Sequence, residues 1–215
     1  ELFKSDSLYE QALNECHEML ETDQEMFNES IKSLRQSDTA EIPIDIYAMD
    51  KKINEFERDV RRKVMTHLVV SGSEDLGSGL ILVSVVIDIE RIGDYTKNIY
   101  DLAVQHPKKL SAVSLDETLS DMEKSTKEFL NKAIDAFKTQ DIDAARKLMT
   151  DYKKDISSTS NEIVNVLVSG KNDEFSSDQA SALCLYSRYL KRIAAHSRNL
   201  VSSIVNPFER IGYPE

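Results

Sequence analysis

The sequence predicts an all-α fold made of two tandem three-helix bundles, a six-helix duplication. Three observations predict it. The 215 residues include only 6 Gly and 4 Pro, about 5% together where average usage gives about 12%. Hairpins and strand-rich sandwiches take their turns from those residues, so an all-β fold is excluded. Apolar residues recur at three- and four-residue spacings over long stretches, the period of a helix with one buried face. Finally, a ten-residue segment near the end of the first half returns in altered form near the end of the second.

The elements follow in order. Ser7 stands three residues before Glu10, a capping box in which each side chain satisfies the other's free N–H. It opens a first helix over about 8–34, with Tyr9, Leu13, Cys16, Leu20, Phe27, Ile31 and Leu34 on one stripe. Between Leu20 and Phe27 the stripe falls on Asp23 or Gln24, a polar gap. A second helix starts after Pro43, near Asp45, and buries Ile46, Met49, Ile53, Phe56, Val60 and Val64. Ser71 to Gly79 holds three of the glycines and predicts the main loop of the first half. The third helix runs over about 80–105 and stops at His106-Pro107, because the residue before a proline is disfavoured in a helix. Its first two turns are apolar all round, which predicts a central position.

The second half repeats the plan. A fourth helix covers about 115–138, opened by Ser114 and Glu117, a fifth about 142–168, and a sixth about 178–204, opened by Ser176 and Gln179. Pro207 ends the last helix, and a tail with Phe208, Ile211 and Tyr213 is expected to pack back on the bundle. The repeats divide as 1–110 and 111–215.

Composition excludes several functions. Lys and Arg number 27 against 38 Asp and Glu, a net charge of -11. That balance opposes binding to duplex nucleic acid, which needs a cationic surface. The longest apolar run, Leu80 to Ile87, is far shorter than the ~20 residues of a membrane span, leaving at most peripheral membrane association. Cys16 and Cys184 fall in apolar stripes and form no CxxC pair, which predicts two small buried side chains and a cytoplasmic location. The glycines at 72–79 are not followed by Gly-Lys-Ser/Thr, and no Gly-x-Ser-x-Gly elbow occurs, so phosphate-loop and hydrolase chemistry are excluded. No histidine has Glu three residues before it, which removes the di-iron helical oxidases. No catalytic residue is expected. His196 reads as a hydrogen-bonded structural histidine. Arg58, Arg61, Arg62 and Lys63 read as a solvated face balancing nearby acids, with a dock for an acidic partner or anionic head groups as the alternative.

Glu90-Arg-Ile-Gly-Asp-Tyr-Thr-Lys-Asn-Ile99 returns about 101 positions later as Lys191-Arg-Ile-Ala-Ala-His-Ser-Arg-Asn-Leu200, keeping Arg, Ile and Asn in place. The first copy resembles the ERIGDHxxNI signature of the PhoU family of phosphate-uptake regulators. Asp50-Lys-Lys-Ile-Asn54-Glu-Phe-Glu57 resembles that family's DxxIN-x-LE helix. The resemblance covers essentially the whole chain. It implies a cytoplasmic, non-enzymatic regulator of inorganic phosphate transport and phosphate-starvation signalling. Such a protein couples a phosphate ABC transporter ATPase to a sensor histidine kinase and often forms a dimer. Two alternatives carry different expectations: the cytoplasmic domain of a sodium–phosphate cotransporter, and a metal-binding helical scaffold or storage protein.

Glu90 and Asp94 are four residues apart, so their Cβ atoms share a helix face at about 6 Å. Asp50, Asn54 and Glu57 share a face in the same way. Two such helices packed antiparallel converge oxygen ligands alone, which suits hard or intermediate cations. Acid pairs at this spacing are common in so acidic a chain, and on their own they describe solvated faces. The resemblance to the family signature is what implies a metal, a divalent or trivalent ion such as Fe, Mn, Mg, Ca or Zn, at Asp50, Asn54, Glu90 and Asp94. Gly93 costs about 1 kcal/mol relative to Ala inside a helix and suggests a close helix approach. In the second repeat Lys191 and Ala195 replace the acids, and Asp50 and Asn54 map to about Lys153 and Ser157. That repeat is expected to bind metal weakly or not at all.

Overall fold

A computed structural model of the chain describes residues 7–106, 108–152, 156–170 and 173–214. Among the described residues there are seven α-helices and no strand. The first, α1 (Leu8–Gln36), starts at the expected box: Glu10 N donates to Ser7 Oγ at 3.1 Å and Ser7 N to the Glu10 carboxylate at 2.7 Å. α2 (Ile46–Ser71) is capped by Asp45, whose Oδ1 accepts from Ala48 N at 3.0 Å. With α3 (Leu76–Gln105) these form the first bundle, around fully buried Met19, Leu20, Phe27, Ile53, Val60, Ile89, Ile92 and Ile99. Each large apolar side chain buried here contributes about 1.5–3 kcal/mol.

The second bundle contains α4 (Asp116–Thr139), α5 (Ile142–Tyr152), α6 (Ser158–Val168) and α7 (Ser177–Val205). Leu119, Leu130, Ala133, Ile163, Leu183, Leu190 and Ile193 fill its centre. α3 and α7, the last helix of each repeat, pack against one another and merge both cores into one.

Three local expectations change. The glycine-rich stretch is only a one-turn 3₁₀ segment at Gly72–Asp75, after which α3 begins. Gly72 alone among those glycines has positive φ, +77°, a conformation that favours glycine. Gly77 and Gly79 are helical, and a Cβ at Gly79 would stand 2.9 Å from the Leu68 methyls. Of the expected fifth helix, α5 and α6 are the described stretches; Lys153 and Asp155 between them lie outside the described residues, as does Pro107. Ser114 caps nothing: its N and Oγ donate to Glu174 at 3.2 and 2.5 Å, and α4 starts two residues later. The C-terminal tail does return to α7, but by polar contacts. Asn206 Nδ2 donates to the carbonyls of Arg210 and Tyr213, and Gly212 N donates to Ser202 Oγ, while Phe208 and Tyr213 are exposed.

Candidate cation site and the seam between repeats

Asp23 fills the polar gap in the α1 stripe. It is fully buried, and neither carboxylate oxygen has a hydrogen-bond partner. Burial, then the charges of Glu90, Asp50 and Asp94, hold its pKa well above the ordinary carboxylate range. Facing it on α3 is Gly93, where a Cβ would lie 2.7 Å from Asp23 Oδ1 and 3.1 Å from Ile53 Cδ1. Only glycine allows α3 so close to that carboxylate, which is the reason for an otherwise unfavourable helical residue.

α2 and α3 supply the remaining groups, each pair one helical turn apart. Asn54 Nδ2 donates to the Asp50 carbonyl at 2.9 Å. Lys97 Nζ lies 2.8 Å from Asp50 Oδ2 and 3.4 Å from Asp94 Oδ1, tying α2 to α3. Arg91 Nη1 donates to Asp94 Oδ2 at 2.8 Å, and its Nε is 3.4 Å from Glu90 Oε2. Burial, then Asp94, Glu57 and Asp50, raises the Glu90 pKa to about 7, against the opposing pull of Arg91. The structure therefore brings Asp50, Glu90 and Asp94 into one electrostatic group, with Asn54 hydrogen-bonded to Asp50.

The donor set is all oxygen, as a hard cation requires. Asp23 adds a carboxylate from a third helix, and a buried carboxylate without partners costs about 1–3 kcal/mol that a bound ion would offset. The donor chemistry thus suits a cation. Among the described residues, however, no three His, Cys, Asp or Glu side chains already stand in an ion-holding arrangement; Lys97 and Arg91 occupy the carboxylates instead. Asp23 is the residue sequence reasoning missed. Its signal was the polar residue on an otherwise apolar stripe.

In sequence register, Thr126, Ser160 and Ala194 stand in the second repeat where Asp23, Glu57 and Gly93 stand in the first. Thr126 and Ser160 are fully buried, and Ser160 Oγ donates to the Ser187 carbonyl at 3.1 Å. Lys191 Nζ and Arg188 Nη1 both donate to Asn161 Oδ1, at 3.0 and 2.9 Å. Burial, with the charges of Arg188 and Arg192, lowers the Lys191 pKa. Cations and hydroxyls replace the acids.

The seam between α3 and α7 is polar at one level. Asp88 Oδ1 accepts from His196 Nδ1 at 2.7 Å and from Asn199 Nδ2 at 2.8 Å. Arg192 reaches His196 Nε2 and the Tyr95 hydroxyl, both at 3.2 Å, and the Tyr95 and His196 rings stack at 5.7 Å. His196 is a hydrogen-bonded structural residue whose carboxylate lies in the other repeat. The basic run on α2 is largely paired: Arg61 with Glu57 at 2.7 Å, Arg62 with Asp59, and Lys63 with Glu15 and Asp59. Cys16 is buried, whereas Cys184 is only partly so.

The PhoU domain family model matches this chain twice, over residues 16–103 and 119–204. The phosphate-specific transport system accessory protein PhoU homolog of Clostridium acetobutylicum is 22% identical over 209 residues, covering 95% of this chain and 88% of that protein. The crystal structure of the phosphate transport system regulatory protein PhoU from Streptococcus pneumoniae superposes with a TM-score of 0.80 at 18% identity, covering 92% of this chain and 93% of that one. PhoU from Pseudomonas aeruginosa gives 0.76 at 18% identity, covering 92% and 95%. These likenesses establish the fold.

Proposed function

Because the chain belongs to the PhoU family, we propose that it is a non-enzymatic regulator of inorganic phosphate transport and phosphate-starvation signalling. It acts in the cytoplasm as a helical adaptor between a phosphate transporter ATPase and a sensor histidine kinase. The observation that carries this reading is the double family match, one per repeat, spanning nearly the whole chain. Among the described residues no helix is long and apolar enough to cross a membrane, so engagement of a transporter would be through a surface.

The chain's own residues supply two functions in such an adaptor. Asp88, His196 and Asn199 hold α3 against α7, so a partner on one bundle is fixed relative to a partner on the other. In the first repeat Asp23, Asp50, Glu90 and Asp94, with Asn54 beside them, would hold a divalent or trivalent cation. A bound ion supplies charge neutralisation that lets α1, α2 and α3 close on one another. Deleting the gene and following phosphate uptake in rich and poor phosphate tests the function. Derepressed uptake and starvation-gene expression in rich phosphate are expected; an unchanged response in both conditions refutes it.

A further inference from the structure

We propose that Lys97 is a tethered cation that bridges the acidic cluster of the first repeat and competes with a diffusible divalent cation for Asp50 and Asp94. This inference rests on the cation-site reading above and concerns a residue that reading does not use. Lys97 lies three residues after Asp94 on α3, yet its Nζ also crosses to Asp50 on α2, 2.8 Å away. Its side chain is 22% exposed, so the ammonium has a path to water. Asp23, fully buried against Gly93 on the same helix as Lys97, is hydrogen-bonded by neither Lys97 nor Arg91.

The pairing in this arrangement is incomplete. Arg91 and Lys97 serve Glu90, Asp94 and Asp50, while neither oxygen of buried Asp23 has a hydrogen-bond partner. An ammonium offers one charge and three donors on a flexible four-carbon stem. A divalent cation brings two charges and gathers six or more oxygens, which reaches the carboxylate the lysine leaves unpaired. The ammonium then swings into water along its stem. The second repeat supports the same logic by contrast. Arg198 stands at the position equivalent to Lys97, but it donates to the Gly212 carbonyl at 3.0 Å and lies over the Tyr152 ring. A cation occupies that position in both repeats, and among the described residues it bridges acids in the first alone.

The consequence is a switch in what the first bundle presents. Without a diffusible cation, Lys97 ties α2 to α3. With one, Lys97 is released onto the surface of the helix pair.

Two measurements on the full chain test this. Calorimetric titration with Mn²⁺ compares the wild type with Lys97→Met, and amine acylation followed by mass spectrometry reads the exposure of Lys97 itself. We expect Lys97→Met to tighten Mn²⁺ binding about tenfold or more, since a competing charge has gone. Acylation of wild-type Lys97 should rise severalfold at saturating Mn²⁺, with other lysines unchanged as internal references. Equal affinities together with Mn²⁺-independent labelling of Lys97 overturn the competition and leave the cation site standing. Absence of Mn²⁺ binding to both proteins at millimolar concentration overturns the cation site and the competition together. If Lys97→Met does not fold, the labelling of the wild type decides alone.

Discussion

Gly93→Ala builds into the first repeat the residue that the second repeat carries at Ala194. The added Cβ would stand 2.7 Å from Asp23 Oδ1 and 3.1 Å from Ile53 Cδ1. Asp23 has a short side chain and no exposed surface, so it cannot swing clear. Overpacking of this kind costs about 1–3 kcal/mol, against about 1 kcal/mol gained from replacing glycine in a helix. The single variant should therefore be destabilised by about 1 kcal/mol. Asp23→Thr installs the other member of the second-repeat pair, shortens the side chain and removes an unpartnered buried carboxylate. That change alone should stabilise the chain by about 1–3 kcal/mol, because the lost group had no compensating bonds, and a threonine hydroxyl can bond the helix carbonyl one turn back. In the Asp23→Thr background the clash is gone and Gly93→Ala should become stabilising by about 1 kcal/mol. Urea denaturation of the four proteins in chelator gives the coupling directly. If Gly93→Ala has the same effect with and without Asp23, the close approach of α3 to that carboxylate is refuted.

Two further outcomes follow from the same geometry. Glu90 has an ordinary pKa of 4.5 raised to about 7, so the folded state keeps a proton the unfolded chain has lost. Its contribution to stability is fully present below about 4.5 and disappears as pH rises through about 7. Asp23, shifted the same way, adds to the loss, and Glu90→Gln should flatten the fall in unfolding midpoint across that window relative to wild type. At the seam, Asp88→Ala leaves His196 Nδ1 and Asn199 Nδ2 without their shared acceptor. It should cost about 2 kcal/mol and raise hydrogen exchange in the facing turns of α3 and α7, while a loss confined to one helix would count against the seam as a joint.

What the sequence made legible was whatever rests on local periodicity. The stripes placed Leu20, Phe27, Ile53 and Val60 in the core, and the Ser7 and Asp45 caps set helix starts within a residue. The glycines at 77 and 79 misled because a loop reading treats glycine as a breaker. Here its small size admits Leu68 against α3. Ser114 misled for a related reason: a capping box is a local pattern, and Glu174, distant in sequence, accepts the Ser114 N–H that the box gives to Glu117, and binds the hydroxyl as well. The signature pairs on α2 and α3 were legible as shared faces. Asp23 was not, because an isolated acid on an apolar stripe acquires meaning only when α1 brings it under Gly93. Likewise the partner of His196 lies 108 residues away, in the other repeat. Non-local pairing, and the bridging reach of Lys97 across two helices, required the folded structure.

The most direct test of the account is cation stoichiometry by repeat, using native mass spectrometry and elemental analysis of the full chain loaded with Mn²⁺. Binding should be confined to the first repeat: abolished by Asp50→Asn with Glu90→Gln, and unchanged by Lys191→Ala or Ser157→Ala. Ions at two equivalent positions, or binding that survives the paired substitution on α2 and α3, would contradict it.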